Sequence, residues 1–114
     1  MSAARTRDRT HAMAYVTAPD RTSARRIAHA VLEARLASCA NLSPIESVFW
    51  WKGSLEEAKE VVLVFKTRRA LVPRLIEAVR KAHPYAVPCI VAYPMESGYA
   101  PYLDWIDRET RVQR

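Results

Sequence analysis

The chain has 114 residues, half of them hydrophobic, so one domain with a real core is expected and general disorder is not. No apolar run approaches the roughly 20 residues that cross a bilayer, and the polar, basic start MSAARTRDRTH does not read as a signal peptide, so a cytoplasmic, non-membrane protein is expected. Two cysteines, Cys39 and Cys89, are too few and too far apart for a disulfide framework or a zinc knuckle, and both are expected as free thiols.

The net charge of +6 has two of its units in the first eleven residues, from Arg5, Arg7 and Arg9 against Asp8. Residues 1–11 are expected as a disordered basic tail and 12–114 as a single domain. The other charges are dispersed, with short clusters at Arg25-Arg26, Arg68-Arg69 and Arg80-Lys81. Basic charge attracts nucleic acid, but no aromatics interleave with these arginines, so they read as solvated surface.

Ala12–Thr17 (AMAYVT) is short and apolar and is followed by Ala-Pro-Asp, which predicts a strand ending in a loop. Asp20–Ser23 offers N-caps for a helix over 21–36, with Ala24, Ile27, Ala28, Val31 and Leu32 at helical spacing. Leu36–Asn41 (LASCAN) leads into a second strand. Ser47–Lys52 (SVFWWK), a turn at Gly53-Ser54 and Glu60–Thr67 (EVVLVFKT) predict a β-hairpin. In its second strand Val62 and Val64 face one way and Val61, Leu63 and Phe65 the other. Both faces are apolar, and one helix layer covers only one of them.

Ala70–Ala82 returns to helical spacing through Val72, Leu75, Ile76 and Val79. His83-Pro84 stops this helix, because a residue before proline is pushed out of helical geometry. Val87–Tyr93 (VPCIVAY) reads as a fourth strand, with Pro88 implying an edge or a strand entry. Pro101 fits the first turn of a last short helix carrying Leu103, Trp105 and Ile106. The order is β-α-β-β-α-β plus a terminal helix, an α+β, ferredoxin-like sandwich with helices on one face of an antiparallel sheet.

Six ordered segments then carry a resemblance: Thr17-Ala18-Pro19-Asp20, Ala34–Asn41 (ARLASCAN), Trp51-Lys52-Gly53, Phe65-Lys66-Thr67, His83-Pro84-Tyr85 and Tyr102–Ile106 (YLDWI). The chain resembles the CutA family, named for divalent-cation tolerance, over about residues 14–110. The resemblance implies a homotrimer in which long hairpins, formed by the second and third strands, contribute to sheets shared between subunits. It also implies an association with copper and other divalent cations, and no catalytic reaction.

His83 matches the family's metal-associated histidine; imidazole suits copper, nickel and zinc, and the proline fixes its direction. The plain alternative is a histidine placed at a helix C-terminus by the helix dipole. Cys89 stands where many family members carry a glutamate after the proline. As a ligand its thiolate would favour Cu(I) or Zn(II); otherwise it is a small strand residue. Val16 replaces a cysteine that some copper-associated relatives carry, so His83 and Cys89 are what remains of a ligand set. Any metal ion is expected to be weakly bound.

Asp20 and Glu60 carry oxygens too, with simpler roles as helix cap and hairpin-edge charge. Cys39 reads as a packed thiol. Lys66, Tyr85, Trp51 and Tyr102 are candidates to line a cleft between subunits, with packing the plainer role for the aromatics. The glycines, Gly53 and Gly98, form no phosphate-binding loop, and no Ser–His–Asp set has sequence support, so an enzyme is not expected. A nucleic-acid-binding sheet is not expected either, because Glu60–Thr67 lacks the glycine-rich aromatic strand motif of RNA-binding domains. The two functions that stand are a trimer that binds or responds to metal ions, and a structural or regulatory trimer whose cleft takes a small metabolite or a partner protein.

Overall fold

The computed structural model describes residues 4–5, as backbone, and 10–111. Of the expected disordered tail over 1–11, residues 1–3 and 6–9 lie outside the described residues. The other tail residues are ordered into the fold: β1 (Ala4–Arg5) pairs antiparallel with β6 (Gly98–Tyr99), and His11 opens β2 (His11–Ala18). His11 is buried, and its Nε2 meets Asp107 Oδ1 at 2.8 Å. The carboxylate accepts this bond.

In β2 the residues Ala12, Ala14, Val16 and Ala18 alternate onto the buried face. Asp20 then caps α1 (Arg21–Glu33): its carboxylate accepts the Ser23 backbone N–H at 2.7 Å. The helix ends three residues before the expected Leu36. Arg35 takes a left-handed φ of 59°, its N–H reaches the Leu32 carbonyl at 2.9 Å, and the Leu36 N–H reaches Val31 at 3.0 Å. This is the Schellman closure, with an arginine in the position glycine favours, and Leu36 and Val31 share the core cluster. The Arg35 guanidinium donates to Glu109 Oε1 at 3.0 Å, tying that turn to the C-terminal helix.

The hairpin is longer than the two aromatic and aliphatic runs suggest. β3 (Cys39–Trp51) absorbs both the LASCAN segment and the aromatic run, and β4 (Ser54–Arg68) begins six residues before Glu60. Pro44 is tolerated inside β3 because β3 is an edge strand. The turn falls one position earlier than Gly53-Ser54: Lys52 and Gly53 both have positive φ, 49° and 83°, as a two-residue hairpin turn of the primed type requires.

The main sheet has the order β3-β4-β2-β5, antiparallel throughout, with β5 (Ile90–Pro94) on the other edge. A short 3-10 turn (Arg69–Leu71) leads into α2 (Val72–Ala82), which carries Pro73 in its first turn. Helices α1 and α2 lie on the same face. Ile27, Val31, Leu75 and Val79 pack there against Ala14, Val16, Leu63 and Phe65. Val61, Leu63 and Phe65 are therefore the face that the helices cover. On the other face, α3 (Ala100–Glu109) packs Leu103 and Ile106 against Met95 and Met13.

This third helix covers only part of the second face. Val91 and Tyr93 of β5 stay 53% and 46% exposed. The hairpin also runs past the sheet: β2 pairs with β4 only from Val61 to Arg68, so Ile45–Glu60 is a two-stranded ribbon. It exposes Val48 (68%), Trp50 (70%) and Leu55 (60%). A two-stranded ribbon is at best marginally stable alone in water, and this one carries a dense exposed apolar surface. No helix among the described residues is long and apolar enough to cross a membrane.

Candidate functional site

The site forms where the connection from α2 to β5 meets the base of the ribbon. His83 ends α2 with an extended ψ of 138°, the geometry that the following proline imposes. His83 is 8% exposed and both ring nitrogens are engaged. The Tyr85 backbone N–H can only donate, so Nδ1 accepts from it, at 3.1 Å. Nε2 therefore carries the proton and donates to the Thr17 carbonyl at 2.7 Å. The tautomer is fixed by two backbone groups, and the imidazole is a strut between β2 and the connection. A metal would have to displace one of these bonds to reach the ring.

Tyr85 lies beside His83, with ring centroids 4.9 Å apart, and its hydroxyl donates to Glu60 Oε2 at 3.0 Å. Burial first, and then the Glu60 carboxylate, raise the phenol above its ordinary 10.0. Glu60 is only 8% exposed, so the hairpin-edge charge read from the sequence is a buried carboxylate satisfied by a tyrosine. Cys89 sits before β5, not within it, and is exposed. The strand starts at Ile90 because Pro88 and Cys89 lie outside the ladder that β5 makes with β2.

Between the ribbon and residues 84–89 lies a cleft of about 1000 Å³. Trp51, Tyr85 and Cys89 line it, as do Phe49, Glu56 and Glu60. Lys66 and Tyr102, expected at a cleft between subunits, are not among the residues lining this cleft within one chain. Lys66 pairs with Met13 and Cys39, and its carbonyl accepts the Ser38 N–H. Tyr102, on α3, stacks near Trp105 at 5.5 Å, and burial and then Cys39 raise its phenol above 10.0. A single chain thus brings together Trp51, Tyr85 and Cys89, with Lys66, Tyr102 and Cys39 forming a separate group.

Donor chemistry tests the metal expectation. Among the described residues no three of His, Cys, Asp and Glu converge on a point. The two nitrogens of His83 are already bonded, and Asp20 is spent on its helix cap. The donors of one chain therefore do not fit a resident metal ion. Sequence reading also passed over Glu46, Glu56 and Glu57, which line the same cleft. Their signal was available: counting back from the Lys52-Gly53 turn pairs Phe49 with Glu56 across the ribbon.

Residues 12–109 match the family model described as CutA1 divalent ion tolerance protein. Among curated relatives, Protein CutA of Mus musculus is 49% identical over 98 residues, covering 85% of this chain and 55% of that protein. The chain thus spans about half the length of this mammalian relative. The divalent-cation tolerance protein CutA of Archaeoglobus fulgidus is 44% identical, covering 85% of this chain and 95% of that one. A solved structure of that protein, described as periplasmic, superposes with a TM-score of 0.87 at 42% identity over 89% of this chain and 99% of its own. CutA1 from Oryza sativa gives 0.87 at 37% identity over 94% and 98%, and a curated rice relative is described as chloroplastic. With the model spanning nearly all of the described chain, this protein belongs to the CutA1 divalent ion tolerance family.

Proposed function

We propose that the chain is a non-enzymatic divalent-cation-tolerance protein that works as a homotrimer and meets copper and other divalent ions at the cleft beside His83-Pro84. The projecting ribbon carries this reading: Val48, Trp50 and Leu55 are more than half exposed, and association is what covers such a surface. The cation is a transient ligand here. Cys89, the exposed thiol on the cleft wall, is its first contact, and a thiolate selects Cu(I) or Zn(II). His83 joins only where the Tyr85 N–H gives up Nδ1. The missing donors come from neighbouring copies, so metal binding depends on assembly. Free Cys39 and Cys89 support a reducing compartment, the cytoplasm.

The test combines light scattering with competition titrations of Zn(II) and Cu(I) on wild type, Cys89→Ser and His83→Ala. A trimeric mass, with metal binding weakened about tenfold or more by Cys89→Ser, supports the reading. Unchanged binding in both variants removes the two residues from the account.

A second reading has its own support in the cleft itself. About 1000 Å³ walled by Phe49, Trp51 and Tyr85 is the size and character of a small-molecule site. In that reading the trimer is regulatory and the cleft takes a metabolite or a partner protein. Silent metal titrations beside a positive ligand screen would select it.

A further inference from the structure

The fold sorts charge that the sequence leaves dispersed. The helix layer, residues 20–35 and 69–82, holds eight lysines and arginines against Asp20, Glu33 and Glu77, a net of +5 in a chain of +6. Arg21, Arg25, Arg26, Arg74, Arg80 and Lys81 are all exposed. The Arg26 guanidinium donates to the Ala82 carbonyl at 3.2 Å, so the Arg25-Arg26 and Arg80-Lys81 clusters become neighbours across 56 positions of sequence. Glu77 pairs with Arg80, and Arg21, Arg25 and Arg74 enter no ion pair among the described residues.

Local energetics set this face apart from ordinary solvated charge. Arg21 is the first residue of α1, where the helix dipole favours an acid, and Arg25 follows one turn later, ~6 Å along the same side. Like charges four residues apart repel, and the first turn contains no acid to offset them. These arginines therefore weaken the helix that carries them, and a local rule broken with no local gain marks a function. The layer is also free of apolar contact surface. The large hydrophobics left exposed lie on the ribbon, the edge strands, the 85–87 connection, Tyr99 and α3, and none lies in residues 20–35 or 69–82. Association through the ribbon leaves the helix layer in water.

We propose that the outer face of α1 and α2 docks on the phosphate backbone of double-stranded nucleic acid without reading its sequence. Charge complementarity selects a polyanion, and guanidinium groups match phosphate oxygens in bidentate fashion. The layer contains no Phe, Tyr or Trp on which an unpaired base would stack, so a duplex fits it and a single strand does not. It has no large exposed apolar anchor for a bilayer either. The sheet, which lacks the strand motif of RNA-binding domains, takes no part. This partner is additional to the cation chemistry proposed above and independent of it.

Fluorescence anisotropy of a labelled DNA duplex of arbitrary sequence, titrated with the full chain over a salt series, tests it. The logarithm of the association constant is expected to fall against that of salt with a slope of about −3 to −4, as about four neutralised phosphates require. Arg21→Gln with Arg25→Gln is expected to weaken binding by about tenfold at ~100 mM salt and to reduce the slope by about 2. Arg108→Gln with Arg111→Gln removes the same charge near the end of α3 and is expected to leave both nearly unchanged. The helix-layer variant should also hold or raise its Tm, since its arginines oppose the dipole. A clear fall in Tm makes those arginines structural and overturns the proposal. Absence of duplex binding, equal losses in the two paired variants, or tighter binding of one sequence or of single strands overturns it as well. So does equal binding of polyglutamate, or binding of phosphatidylserine vesicles in place of duplex.

Discussion

Tyr85 donates its hydroxyl to Glu60 Oε2 across 3.0 Å, and this bond joins the connection after α2 to the first ribbon residue beyond the four-stranded sheet. The carboxylate is buried and the phenol only half covered, so the bond compensates Glu60 for lost water while leaving Tyr85 open to the cleft. Residues 25 positions apart are linked here by a contact that no local pattern announces.

Tyr85→Phe removes the donor and keeps the ring. It is expected to destabilise the chain by about 1–2 kcal/mol, read by guanidinium unfolding. The wild-type tyrosine also gives a pH signature. Its folded-state pKa lies above the ordinary 10.0, so the stability it contributes is intact below that value and lost as pH rises through the folded pKa. Unfolding between pH ~9 and ~11 should show this loss in wild type and a smaller one in Tyr85→Phe. Identical profiles would remove the linkage.

His83→Ala strands the Thr17 carbonyl and the Tyr85 N–H in a buried place. A loss of about 2–3 kcal/mol is expected, with little change in denaturant slope. Nitrogen NMR of wild type should show the proton on Nε2, with Nδ1 unprotonated at neutral pH. The opposite tautomer would undo the strut assignment.

The exposed ribbon predicts a clean separation of assembly from folding. Trp50→Glu with Leu55→Glu changes two side chains that are 70% and 60% exposed, so the core is untouched. Light scattering is expected to fall to the monomer mass while far-ultraviolet dichroism keeps its helical signal. Retention of the wild-type mass by this variant would move any contact between copies away from the ribbon.

Asp20 caps α1 through the Ser23 backbone N–H, and that bond holds its carboxyl below the ordinary 3.8. A depressed folded pKa means the contribution is present above 3.8 and disappears as pH falls through the folded value. Asp20→Ala should lower Tm by a few degrees at neutral pH. Asp20→Asn, which caps without titrating, should hold its Tm and lose that part of the acid dependence. An equal acid response in Asp20→Asn and wild type would assign it elsewhere.

Much of this molecule was already legible from residues one to four positions apart. Helical spacing placed α1 and α2, alternation placed the strands, Asp20 read as a cap and His83-Pro84 as a stop. Each of these depends on backbone geometry that repeats locally, and six short segments were enough to reveal the family. The limits of elements were less legible. Arg35 ends α1 in a conformation that glycine usually supplies, and Pro44 sits inside a strand because that strand is an edge. Tertiary structure alone decided which face of β4 the helices cover, that Glu60 is buried, and that the His83 ring is bonded on both sides. It also drew Cys89, Trp51 and the ribbon glutamates around one cleft within the chain. The reason is physical: alternation assigns a side chain to a face, but its partner across that face comes from a distant strand or connection. Thr17, 66 residues before His83, supplies the carbonyl that fixes the ring.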